Sequence, residues 1–173
     1  MTTPIHPGTA TYVRDTLDLL GDKDPLAVLA ETPAWMAARF EGLSNVALRT
    51  PEADGKWSMT QVMAHLTDTE IAYGWRARIM LTQHHPPLHG FDENAWMTRF
   101  SCADADASEA VHAFVALRQW NMRVWRCATD ADLKRMGVHA ERGPESFDLL
   151  RRMAAGHDLR HRRQIERLLK IVR

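Results

Sequence analysis

From Phe147 to Ile171 the chain carries a stripe at alternating three- and four-residue steps: Phe147, Leu150, Ala154, His157, His161, Gln164, Leu168 and Ile171. That spacing is the inward face of a long bundle helix, yet its middle consists of two imidazoles and an amide. Residues four apart stand one above the other on the same helix face. Buried polar rings need partners. Two readings satisfy that need: two core histidines, each with its own hydrogen bond, or a pair that shares a metal. A third ligand elsewhere in the chain would tip the balance to the metal.

The rest of the chain reads as further helices. A first runs from about Thr9 to Leu20, with Val13, Leu17 and Leu20 on one face, and Gly21 to Asp24 break it. Asp24-Pro25 is a helix start, an N-cap followed by proline in the first turn. Thr32-Pro33 repeats that signal, so Pro25 to about Phe40 is one kinked helix or two short ones. A loop from Leu43 to Gly55 follows. Ser58 and Gln61 have the S-x-x-Q spacing of a capping box and open a helix that runs to Gln83. Val62, Leu66, Thr69, Tyr73 and Met80 lie along one side of it, with His65 beside them. Gly74 costs that helix about 1 kcal/mol against alanine and permits a close helix contact.

His84 to Gly90 is a proline-broken loop. Asp92 to Phe100 reads as a short helix with Trp96 and Phe100 inward, and Ala107 to Ala128 as a long one. Its stripe is Ala110, Phe114, Leu117, Asn121, Val124 and Ala128. Asp130 to Arg135 is a helical turn, Gly137 to Pro144 a loop, and Ser146 to Val172 the last helix. Nowhere does a sustained two-residue alternation mark a strand. Three long helices and a broken first one predict an all-α fold, a four-helix bundle with short extra helices and a long loop. At 173 residues, without repeats or linkers, we expect a single domain over 1–173.

Twenty-two basic and 22 acidic residues cancel, so the charge balance points to no polyanionic partner. The last helix carries eight basic residues between Arg151 and Arg173. They fill the positions left over by the apolar stripe, without interleaved aromatics, and read as a solvated face rather than a nucleic-acid surface. No run approaches a membrane span, and Met1 to Ala10 holds no signal-peptide core. Cys102 and Cys127 form no C-x-x-C and no disulfide framework, so we expect a reducing cytoplasm.

A third histidine, His65, is available at a suitable place. It sits on the core side of its helix, where a facing helix axis is about 8–10 Å away, so imidazoles from two helices can converge between them. Three neutral histidines leave a fourth position open, unlike a closed structural site. Imidazole ligands suit zinc, nickel, copper or iron, so ligand type alone does not name the metal. We expect a divalent transition metal there, zinc first, with nickel, iron or manganese as alternatives. Asp68, three residues on from His65, either orients that ring or serves as a surface cap or ion pair. Gln164 either reaches the site or is a packed amide, and Asn121 is a similar inward polar residue. His84, His85, His89 and His139 read as solvated loop histidines, with a lip of the active site as the alternative, and His6 and His112 carry no signal.

Three stretches resemble one family. Lys56-Trp57-Ser58 followed by Val62-Met63-Ala64-His65-Leu66-Thr67-Asp68-Thr69-Glu70 is similar to the second-helix motif of the DinB-like superfamily. Pro87 to Asn94 with Trp96 resembles its p-l-x-g-f-D loop. Gly156 to Ile165 resembles its closing G-H-D-x-x-H-x-x-Q-I helix. The matches fall in order between residues 56 and 165. The resemblance implies a DinB- or YfiT-like bundle holding a divalent metal on His65, His157 and His161, and many members are dimers. Six tryptophans, with Trp75, Trp120 and Trp125 hard to place inside one bundle, also suggest a homodimer. Members include bacillithiol S-transferases, mycothiol-dependent maleylpyruvate isomerases, the N-terminal domain of ergothioneine-synthesising sulfoxide synthases, and candidate metal-dependent hydrolases. The expectation is an enzyme acting on a small molecule. Transfer of a low-molecular-weight thiol to an electrophile comes first, with hydrolysis or a non-enzymatic metal- or ligand-binding stress protein as alternatives.

Overall fold

The four longest helices begin at the capping residues that the sequence offers. Asp24 accepts from Leu26 N–H at 2.9 Å and starts α2 (Pro25–Phe40). Ser58 and Gln61 exchange both hydrogen bonds of the capping box at the head of α4 (Met59–Thr82). Asp106 accepts from Ser108 N–H at 2.7 Å before α6 (Ala107–Cys127), and Ser146 from Leu149 N–H at 3.1 Å before α7 (Phe147–Val172). The computed structural model describes residues 7–100 and 102–173, so His6 lies outside the described residues. Shorter helices are α1 (Pro7–Leu20), α3 (Asn45–Arg49) and α5 (Glu93–Arg99), with single 3-10 turns at Cys102–Asp104 and Asp132–Lys134. Among the described residues no helix is long and apolar enough to cross a membrane.

The bundle is the ring α2, α6, α4, α7, with α1 docked on α7. Thr67 bonds the Ala110 carbonyl and Arg78 bonds Asn121, so α4 and α6 run in the same direction. Parallel neighbours need a long crossover, and residues 83–106 supply it. In α4 Gly74 allows the close approach, since a Cβ there would lie 2.5 Å from Asn121 Oδ1.

A polar belt divides the core into two apolar clusters. Tyr73, Met80, Trp125, Phe147 and Leu150 pack in one, and Val62, Leu66, Phe114, Ile165 and Leu168 in the other. Between them Arg118, 2% exposed, donates to both oxygens of Asp158 at 2.7 and 3.0 Å and to Glu70 at 2.9 Å. It also donates to the Leu29 carbonyl at 2.7 Å. Pro33 has no N–H to offer that carbonyl four residues back, so the arginine fills a gap in α2. That helix is continuous through Pro33 rather than split.

Several expectations are corrected. The α6 stripe runs through Arg118, Met122 and Trp125, while Leu117 and Val124 are half-buried. Gly137 to Pro144 is not an irregular loop. It holds most of the hairpin of β2 (Met136–His139) and β3 (Gly143–Ser146), and β1 (Pro87–Leu88) pairs in parallel with β2. Four-residue strands holding Gly137 and Pro144 are too short to show alternation, and Leu88 packs where Gly137 lacks a Cβ. Met97 of α5 is buried, and Phe100 at its C-cap is 63% exposed; at the end of α7 Ile171 is 52% exposed. Trp125 is buried against Phe147, 5.6 Å between ring centres, whereas Trp75 and Trp120 are exposed.

Removing the Arg118 side chain leaves two buried carboxylates without their cation. Arg118→Ala should cost about 3–5 kcal/mol, and Arg118→Met, which restores the volume but not the charge, should recover little of it. Urea unfolding monitored by far-UV circular dichroism checks both values.

Candidate metal centre

The antiparallel pairing of α4 and α7 sets His65 opposite His157 and His161, all three buried. His157 Nε2 lies 3.1 Å from His65 Nε2 and 3.1 Å from His161 Nε2. Gly156, just before the pair, makes room for α1 rather than for a ligand, because a Cβ there would overlap the Thr16 backbone carbonyl. Trp57 packs on the His65 ring at 4.9 Å between centres and Phe91 at 6.5 Å, which closes that side with apolar surface.

The donor set fits a cation. Gln164 Oε1 lies 2.9 Å from His161 Nδ1 and accepts its proton, leaving the Nε2 lone pair turned to the centre. A neutral imidazole has one N–H, so His157 Nε2 cannot donate to both neighbours. Protonating the rings is no remedy. Burial, then the nearby His161, pushes His65 down to about 3, and burial pushes His161 down to about 4. Burial first, then the other two histidines, holds His157 well below the ordinary range. Nitrogens that share a zinc-type ion at 2.0–2.1 Å in tetrahedral geometry stand about 3.3 Å apart, close to the spacing seen here.

His65 and His157 form part of the wall of a cavity of about 260 Å³. Tyr12 of α1, Thr69, Tyr73 and Arg76 of α4, and His139 of β2 supply other walls. A wider groove of about 460 Å³ between α1 and the hairpin is lined mostly by apolar groups, without a ligand set, and lies away from the histidines.

A profile of the DinB superfamily matches residues 29–165. The chain belongs to the DinB superfamily. Two of its relatives are named as candidate metal-dependent hydrolases. YfiT of Bacillus subtilis (strain 168) is 30% identical over 116 residues, 67% of this chain and 65% of YfiT, just under two thirds of that protein's length. A protein of Geobacillus thermodenitrificans (strain NG80-2) is 28% identical over 153 residues, covering 86% of this chain and 84% of its own. The solved structure of YfiT, described as "a probable metal-dependent hydrolase with an unusual four-helix bundle topology", superposes with a TM-score of 0.78. It covers 99% of this chain and 91% of YfiT at 23% identity, a likeness of fold.

In this DinB superfamily chain the other candidates separate. Gln164 backs His161 directly. Asp68 does not orient His65: it is half-buried, its charge acts on Cys102, and no hydrogen bond joins it to a histidine among the described residues. Asn121 is structural, donating to the Glu70 carbonyl at 2.9 Å and to Glu70 Oε2 at 3.1 Å. His84 and His85 are exposed and stack at 4.2 Å, and His89 is exposed and offers its backbone carbonyl to Arg76. His139 is no solvated loop residue; it is 2% exposed on β2 and lines the cavity. Arg76 and Tyr12 also reach the cavity without having been singled out. Arg76 could have been found, since it continues the inward steps Thr69, Tyr73, Met80.

Two outcomes follow from this geometry. Replacing Gln164 with leucine removes the acceptor that fixes the His161 tautomer, so zinc affinity should fall about 10–100-fold, measured by competition with a chelator. In the metal-free protein the three histidines have folded pKa values below the ordinary 6.5, so the unfolded chain binds more protons between those limits. Its stability should therefore be full above pH 6.5 and fall as pH drops towards 4 and then 3. Urea midpoints measured across that window check this, and His157→Leu should flatten the slope.

Proposed function

We propose that His65, His157 and His161 hold a divalent transition metal, zinc first, and that the protein transfers a low-molecular-weight thiol to an electrophile. One observation supports this reading most: three imidazole nitrogens converge beside a cavity whose described walls offer no thiol of the protein's own. Cys102 is buried beside Ala64 and Met97, and Cys127 is exposed at the end of α6, its thiol donating to the Val124 carbonyl. The Thr69 hydroxyl, which does line the cavity, is committed to the His65 carbonyl at 2.7 Å. A thiol nucleophile would therefore come from outside. A cation held by three neutral ligands keeps its full charge and lowers the pKa of a thiol or water bound beside it. The chain supplies the rest: Gln164 holds the His161 tautomer, Trp57 and Phe91 exclude water from the His65 side, and the Tyr73 ring packs 6.4 Å from His157.

Hydrolysis is the second reading. The relatives' names favour it, and so do the carboxylates of Glu93 and Glu141 at the cavity mouth, which are available proton acceptors. The two separate cleanly in an assay. Zinc-loaded protein with thiol and 1-chloro-2,4-dinitrobenzene should form thioether only when both metal and thiol are present. That activity should survive Cys102→Ser with Cys127→Ser and vanish in His65→Ala. Metal-dependent cleavage of p-nitrophenyl acetate without thiol, and no thioether, replaces transfer with hydrolysis.

We also propose a homodimer through the outer sides of α4 and α6, where Ile71, Trp75 and Trp120 are 51%, 61% and 62% exposed. Light scattering at micromolar concentration should give twice the chain mass; a monomer removes the idea.

A further inference from the structure

The cavity beside the histidines contains a buried positive charge without a bonded counter-ion, the Glu145 and Glu141 carboxylates acting on it only from beyond ion-pair distance. Arg76 is 5% exposed, yet among the described residues no carboxylate forms an ion pair with it. Its Nε and Nη2 both donate to one neutral acceptor, the His89 carbonyl, at 3.2 and 2.6 Å. Nη1 makes no hydrogen bond to a described residue. Arg118 and the part-buried Arg142 differ: Arg118 has two carboxylates, and Arg142 forms a two-pronged pair with Glu145 at 2.8 and 3.0 Å. A guanidinium cannot shed its proton, and burying one without a counter-ion is costly.

The charge sits where a ligand can reach it. Arg76 lines the same cavity as His65 and His157. The Tyr73 ring links the two ends, 5.6 Å from the guanidinium carbon and 6.4 Å from the His157 ring. His139, also in the wall, adds a second uncommitted donor. Its Nδ1 accepts the Glu141 N–H at 3.1 Å, which places the ring proton on Nε2, and that atom is buried without a partner. Glu93 and Glu141 reach the mouth as well, but both are exposed, where solvent screens them.

We propose that Arg76, with His139 beside it, is the receptor for a carboxylate on the small molecule whose reactive end lies at the three histidines. The preferred class is a short thiol that carries a carboxylate a few bonds from its sulfur. This rests on the metal reading above, and the test keeps the two apart.

Zinc-loaded protein is titrated calorimetrically with 3-mercaptopropionate, 2-mercaptoethanol and cysteamine, three thiols that differ in charge. Wild type should bind the acid about 10–100-fold tighter than the neutral thiol, the range for a charge-assisted hydrogen bond. Arg76→Gln, which keeps a donor for the His89 carbonyl, should bring that ratio to about one with zinc content as in wild type. Arg76→Lys should keep part of the preference. Equal affinities in wild type overturn the receptor. A variant that weakens both thiols by the same factor also overturns it, since that is a structural role. Preference for cysteamine overturns it too, by giving control of the pocket to Glu93 and Glu141. If wild type takes up no zinc, the metal reading fails, and succinate binding to the metal-free protein then judges Arg76 separately: loss of binding in Arg76→Gln sustains the receptor, and equal binding sinks it.

Discussion

The Arg118 guanidinium ties the bundle together at its centre. Two carboxylates from different helices, Glu70 of α4 and Asp158 of α7, converge on it, and the Leu29 carbonyl of α2 completes the set. All four helices of the ring therefore meet at one side chain. Asp158 follows His157 directly in sequence, and its negative charge acts on His161. The ion cluster thus fixes the rotation of α7 that turns both imidazoles towards α4. Such a cluster stabilises little against an apolar core of the same shape, but it penalises any register that leaves one of its charges alone. Its contribution is to specify one arrangement, and the histidines depend on that arrangement.

Above and below the belt the core is ordinary close-packed side chains. The belt itself is where the fold departs from a plain bundle. Pro33 frees the Leu29 carbonyl of α2 at this level, Asn121 locks α6 to the Gly74 notch in α4, and Gly156 lets α1 lie against α7. Each departure from good helix chemistry brings a polar group or a backbone close to the site. The hairpin β2–β3 and strand β1 then bring His139 and the Arg76–His89 contact to the cavity from outside the ring.

The helices were legible in the sequence because their caps and apolar steps agree, and the histidines because an imidazole on an apolar stripe is conspicuous. Arg118 was not. Leu117 and Arg118 are neighbours, and a stripe drawn by hydropathy takes the leucine; only carboxylates supplied by two other helices make the arginine an inward residue. Arg76 keeps the spacing of Tyr73 and Met80, but its partner is the His89 carbonyl in a distant loop, which no local pattern shows. The hairpin was invisible because its strands are four residues long and are held by Leu88 filling the space above Gly137, a contact between distant segments. His139 went with it. Local pattern reports what one helix needs from its surroundings, and it misses charges whose partners lie on other elements.

Whether the three imidazoles act together as ligands decides the chemistry of this bundle. X-ray absorption at the zinc edge on zinc-loaded protein measures this most directly. The geometry predicts three imidazole nitrogens at about 2.0–2.1 Å, with the multiple-scattering signature of the rings, and one fewer imidazole with weakened zinc retention in His157→Leu. A spectrum without imidazole scattering, or the same spectrum and the same zinc content in wild type and His157→Leu, would contradict it.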